Sequence, residues 1–164
     1  MVLRALEVRR ELVLTLQRMA AGGLVRGTEG NASARAGELI AISPSGLAYD
    51  SLRPEDVCLV TPGGELVEGP EPSVELPMHL AVLAGRPDVG AVVHTHSPRA
   101  TANPPAPVAL GRSGTAELGA AVVEAAGGGL AVVIRDHGPV CFGADLAEAL
   151  RRALDLESRA SGRE

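Results

Sequence analysis

The short apolar run Val89-Gly90-Ala91-Val92-Val93 leads directly into His94-Thr95-His96. A run of this length, rich in valine, reads as a strand buried on both faces. Residues two apart on a strand point to the same side. His94 and His96 therefore share one face, and the fold that buries this strand must end it at a polar pocket. A second apolar run, Leu130 to Arg135, ends in Asp136-His137-Gly138. If the two strands are neighbours, their C-terminal ends converge and bring His137 to the other two imidazoles. Three imidazoles with one position left open are the ligand set of a catalytic Zn²⁺ site. A lone buried histidine more often just hydrogen-bonds in the core. A His-x-His pair with a third histidine at a strand end favours metal.

The other segments mix helix and strand. Leu6, Val13, Leu16 and Ala20, with Leu3, Leu12 and Met19 beside them, make one face of an amphipathic helix over about 3–21. Gly22-Gly23 ends it. Residues 31–35 and 39–42 predict two short strands around a turn at Gly37, and Ser43-Pro44-Ser45-Gly46 is a turn cluster. A helical turn at 54–56 precedes a strand over 57–61, and Gly63-Gly64 suits a hairpin. A helix runs from Ser73, as its N-cap, to about Ala84. An Ala-rich helix covers 115–126, and a last helix covers about Asp145 to Ser158, with Leu146, Leu150, Ala153, Leu154 and Leu156 as its apolar set. The segment 98–114, rich in Pro and Gly, reads as an irregular loop. With no repeat and no dividing linker, residues 1–164 form one α/β layered domain.

Composition removes several classes of function. The chain has one Tyr, one Phe and no Trp, so its core is built from Ala, Val, Leu and Ile. Binders of single-stranded nucleic acid need several stacking aromatics. A formal net charge of −5 gives no electrostatic reason to expect nucleic acid as a partner. Arg4, Glu7, Arg9, Arg10 and Glu11 do not read as a signal peptide. The longest apolar stretch, Leu118 to Ile134, is broken by Glu124 and by Gly127-Gly128-Gly129, so no membrane span is expected. Cys58 and Cys141 are too few for a disulfide framework and read as reduced thiols of a cytoplasmic protein.

Further candidates lie before the His-x-His strand. Glu75, at a helix start, is either a fourth ligand or general base, or a first-turn carboxylate favoured by the helix dipole. Glu75 and His79 are four apart on one helix face, as metal ligands can be, although such pairs are more often plain contacts. Gly30-Asn31, the Ser43–Gly46 turn and Ser73 could together make a nest of N–H and hydroxyl donors for a phosphate, or do ordinary turn work.

In order, the chain presents Gly30-Asn31-Ala32-Ser33-Ala34-Arg35, Ile42-Ser43-Pro44-Ser45-Gly46, Pro72-Ser73-Val74-Glu75 with His79, Arg86-Pro87-Asp88 leading to Ala91-Val92-Val93-His94-Thr95-His96-Ser97, then His137-Gly138 and Gly143. This order resembles the class II aldolase/adducin family along nearly the whole chain. The resemblance implies a three-layer α/β/α sandwich with a largely antiparallel central sheet, assembled as a homotetramer. It implies one Zn²⁺ per subunit on His94, His96 and His137, with Glu75 as resting-state ligand and proton carrier. Gly30, Asn31, Ser45, Gly46 and Ser73 would hold a substrate phosphate. The implied reaction cleaves a small ketose 1-phosphate, similar to L-fuculose 1-phosphate, to dihydroxyacetone phosphate and an aldehyde through a metal-stabilised enediolate. Epimerase or dehydratase chemistry on the same metal, or a non-catalytic adducin-like interaction module, are the alternatives. The chain departs from the family in three ways. Val74 stands where the family commonly has a second serine. The segment between His96 and His137 and the C-terminus are shorter. Its one tyrosine, Tyr49, has no match to the family's tyrosine proton donor.

Overall fold

The computed structural model describes residues 3–160, so the ends of the span 1–164 lie outside the described residues. Its strands are β1 (Asn31–Ala36), β2 (Leu39–Ile42), β3 (Cys58–Val60), β4 (Leu66–Glu68), β5 (Ala91–His94), β6 (Val108–Ala109), β7 (Ala131–Ile134) and β8 (Gly138–Gly143). Its helices are α1 (Leu6–Ala21), α2 (Leu76–Gly85), α3 (Pro98–Ala102), α4 (Ala116–Ala126) and α5 (Leu146–Ala160). The strands form one sheet in the order β4-β3-β2-β1-β5-β8-β7-β6. Every pairing is antiparallel except that of β6 with β7. Helices α1 and α5 cover one face of the sheet, while α2 and α4 cover the other. The expected α/β/α sandwich is therefore the observed fold.

Strand alternation assigns side chains to the two layers. On β5, Ala91 and Val93 enter the α1/α5 core and Val92 enters the α2/α4 core, all with no exposed surface. His94 follows Val92 onto the α2 side. On β1, Ala32 and Ala34 face α1 and α5, which leaves Asn31 and Ser33 on the α2 side. A valine side chain fully removed from water contributes roughly 1.5–3 kcal/mol. The centre of the sheet is thus where the fold is held most firmly, and the histidine strand lies there.

Several expectations change. The buried face of α1 is Leu12, Val13, Leu16 and Met19, while Ala20 is exposed. Arg9 joins that face with no exposed surface. Its guanidinium donates to Pro54 O at 3.0 Å and Val57 O at 2.6 Å, and pairs with Glu68 at 2.6 Å. Leu154 of α5 is 42% exposed rather than part of the apolar face. Ser73 is not the cap of α2. The segment before it is bridged to the Ser43–Gly46 turn, with Ser45 N–H donating to Glu71 O and Ser73 N–H to Ser43 O. That extended pairing delays the helix, and Glu75 takes the N-cap position with Pro77 just inside. Within 98–114 the chain still forms α3, begun by Pro98, and the edge strand β6.

Candidate active site

The β1–β5 register places Asn31 directly opposite His94. Gly30, just before β1, has φ +69°, and a Cβ there would stand 2.7 Å from His94 O. Only glycine takes that conformation at such close approach. It lets β1 begin against the histidine end of β5.

His137 arrives by a route different from the expected one. β5 and β7 are not neighbours, because β8 lies between them and pairs with both. His137 sits in the β7–β8 hairpin turn after Asp136, which takes the left-handed conformation at φ 57°. Asp tolerates that region better than most residues. Gly138 lies so near β5 that a Cβ would fall 1.9 Å from Thr95 O. Strand β8 escapes a sequence reading because Gly138 and Pro139 at its start are strand breakers. Its central Val140, Cys141 and Phe142 are nonetheless fully buried.

Glu75, His94, His96 and His137 bring four ligand atoms within 4.8 Å of one another. His137 Nε2 lies 3.2 Å from His94 Nε2 and 3.0 Å from His96 Nε2. Glu75 Oε2 lies 3.2 Å from His94 Nε2, and Glu75 Oε1 lies 3.7 Å from His137 Nε2. Tetrahedral zinc with bonds of about 2.0–2.1 Å has ligand atoms about 3.3 Å apart. The observed edges bracket that value, so this donor set fits such an ion. The chemistry of the set agrees. His94 Nδ1 lies 2.9 Å from Pro139 O, which orients the ring so that Nε2 points inward toward Glu75. His96 Nδ1 lies 3.6 Å from Glu29 on its outer side.

Burial pushes the Glu75 carboxyl up. The hydrogen bond and charge of His94, the Asn31 amide and the charge of His137 outweigh it and hold Glu75 well below the usual carboxylate range. Burial and the neighbouring His94 charge push His96 down to about 4 and lower His137 as well. The site thus favours an ionised Glu75 carboxylate and unprotonated imidazoles at His96 and His137, the forms that bind metal.

A cleft of about 320 Å³ opens beside these residues, lined among others by Gly30, Asn31, Ser45, Gly46, Ser73 and Val74. All five residues expected at a phosphate therefore share one cleft with Glu75, His96 and His137. Asn31 carries a second task, since its Nδ2 donates to Glu75 Oε2 at 2.8 Å. Ser113 also lines the cleft, and its hydroxyl donates to Glu75 Oε1 at 2.9 Å. Sequence reading misses Ser113 because it lies in the Pro- and Gly-rich segment, where no spacing sets it apart. His79 is fully buried and lies outside the four-residue group, with its ring between Asn31 and Ser33. Tyr49 is buried and donates to Gly30 O, and burial followed by the Glu75 charge raises its pKa. It does not line the cleft.

The family model for the Class II Aldolase and Adducin N-terminal domain matches residues 10–104 and 103–162. The chain belongs to that family. It is 35% identical over 173 aligned residues to a 5-methylthioribulose-1-phosphate/5-deoxyribulose-1-phosphate aldolase of Rhodospirillum rubrum, covering 93% of this chain and 78% of that one. It is 33% identical over 152 residues to an L-fuculose phosphate aldolase of Methanococcus maripaludis, covering 81% and 83%. The crystal structure of L-fuculose-1-phosphate aldolase from Thermus thermophilus superposes with a TM-score of 0.83 at 28% identity, covering 96% of this chain and 92% of that one. These similarities class the chain with the lyases of the family. Among the described residues, no helix is long and apolar enough to cross a membrane.

Proposed function

We propose that the chain is a zinc-dependent class II aldolase acting on a ketose 1-phosphate. In this reading His94, His96, His137 and Glu75 hold one Zn²⁺, and the products are dihydroxyacetone phosphate and an aldehyde. The observation that carries the reading is the donor set itself: ligand atoms of four side chains, from three segments of the chain, lie within 4.8 Å of one another beside a cleft of small polar turns. When bound, the ion supplies Lewis-acid stabilisation of negative charge on the substrate oxygens.

The chain's own residues do the rest. Glu75 moves the proton at the carbon next to the ketone, and Asn31 and Ser113 hold its two oxygens in place. Gly30, Asn31, Ser45, Gly46 and Ser73 take the phosphate. Their support is a shared cleft wall and the nearby N-terminus of α2, where the helix dipole favours an anion. Val74, 70% exposed, contributes no hydroxyl to that wall.

The relatives' names favour a 5-deoxyribulose or 5-methylthioribulose 1-phosphate over the fuculose ester. The two free, buried cysteines suit a reducing cytoplasm. The exposed Leu66, Val67, Val74 and Leu110 give a homotetramer apolar surface to cover. The test is to offer the zinc-loaded chain 5-deoxyribulose, 5-methylthioribulose and L-fuculose 1-phosphates and to follow release of dihydroxyacetone phosphate. Release from the ribulose esters at the higher kcat/KM supports the reading. No release from any of the three contradicts it.

A further inference from the structure

Ser33, His79, Asn31 and Glu75 form a buried file of hydrogen bonds with a single direction. An ionised carboxylate only accepts, so the Asn31 group that meets Glu75 Oε2 at 2.8 Å is the amide NH₂. Asn31 Oδ1 is then an acceptor, and it faces His79 Nε2 at 2.5 Å, so Nε2 carries the proton. A neutral imidazole has one N–H. His79 Nδ1 is therefore bare and accepts from the Ser33 hydroxyl at 2.7 Å. Burial with no exposed surface keeps the ring neutral, its pKa pushed down to about 3. Asn31 and Ser33 are two apart on β1 and so face the same way, and the ring bridges the gap between them.

We propose that His79 is a positioning residue. Through Asn31 it fixes the Glu75 carboxylate at the His94–His137 edge of the metal site. This rests on the reading of Glu75 as a ligand and proton carrier. Without the His79 donor, Asn31 Oδ1 is a buried acceptor with no partner, and the amide is held only at its Glu75 end, free to swing away from the carboxylate. The pair Glu75 and His79, four apart on the sequence, are thus connected through a strand residue and do not share a ligand.

The experiment measures zinc affinity of the full chain by competition with a chromophoric chelator, alongside thermal unfolding. Gln at 79 can keep a donor near Nε2, whereas Asn reaches only the Nδ1 position. His79→Asn is expected to weaken zinc binding about 10-fold, the low end of the range for direct outer partners of a metal ligand, because it acts through Asn31. His79→Gln recovers most of that loss. In an Asn31→Ala background, His79→Asn brings no further loss of zinc affinity, because its route to Glu75 is already cut. A merely structural histidine would lower the unfolding temperature in both backgrounds and would not distinguish Gln from Asn. Should His79→Asn fail to fold, His79→Met fills the volume without a donor and carries the same comparison. Unchanged zinc affinity in the donor-less variant, or an equal further loss in the Asn31→Ala background, overturns the proposal. A wild-type chain that binds zinc but turns over no sugar phosphate contradicts the aldolase reading alone, and zinc affinity still decides on His79. A wild-type chain that binds no zinc overturns both.

Discussion

Asn31 and His94 are cross-strand partners on β1 and β5, and their side chains meet on the same oxygen of Glu75. A carboxylate from the start of a helix is thus held between two adjacent strands of the sheet's buried centre. The site inherits its rigidity from the core.

Removing one ligand should show this directly. Of the proposed ligands, His137 lies in the β7–β8 turn, so His137→Ala leaves the sheet intact. Zinc content after dialysis, measured by atomic absorption, should fall from about one per chain to a small fraction, because four-coordinate sites lose affinity steeply with each ligand. The fold should persist by circular dichroism. Full zinc content in the variant would remove His137 from the site.

Acid should weaken the metal-free fold. His79 and His96 are held down to about 3 and 4, from an ordinary 6.5. Below pH 6.5 the unfolded chain takes up protons that the folded chain refuses, so stability falls as pH drops toward 4. For the buried His79 the slope approaches about 1.4 kcal/mol per pH unit. Urea midpoints at pH 7, 6 and 5 should decrease in that order. A flat series would contradict the assigned environment of His79.

Arg9 offers a stability test away from the cleft. Its guanidinium has no exposed surface and serves the carbonyls of Pro54 and Val57 together with Glu68. Arg9→Met fills the space but leaves these acceptors without a donor. The cost should be about 2–4 kcal/mol in urea unfolding, with zinc affinity unchanged. A loss below about 0.5 kcal/mol, the ordinary size of a surface change, would mean that water replaces the guanidinium.

The residues that meet at the candidate site were more legible in the sequence than the path that brings them together. His94 and His96 were legible because an apolar strand ended in them, and Glu75 because it preceded that strand in a recognisable order. The sandwich followed from the same order. The route of His137 was hidden: a strand beginning Gly138-Pro139 has no local signature, so the intervening β8 was invisible. Ser73 is of a residue type that suits a helix cap, yet pairing with Ser43 holds it extended. Arg9 reads locally as a solvated charge, because its carbonyl partners come from residues far along the chain. Ser113 and the bridging role of His79 depend on tertiary contacts that no spacing encodes.

In the proposed reaction, Glu75 of the metal-loaded chain moves a proton at the substrate carbon. Solvent-deuterium exchange into dihydroxyacetone phosphate, followed by proton NMR, tests it without the aldehyde and without any donor to the aldehyde oxygen. The zinc-loaded chain should exchange one position stereospecifically, and stripping the metal with a chelator should abolish the exchange. Glu75→Gln should keep most of the zinc on the three histidines and lose about 10²–10⁴-fold in exchange rate. Exchange at the wild-type rate in Glu75→Gln, or none in the zinc-loaded wild type, would contradict the account.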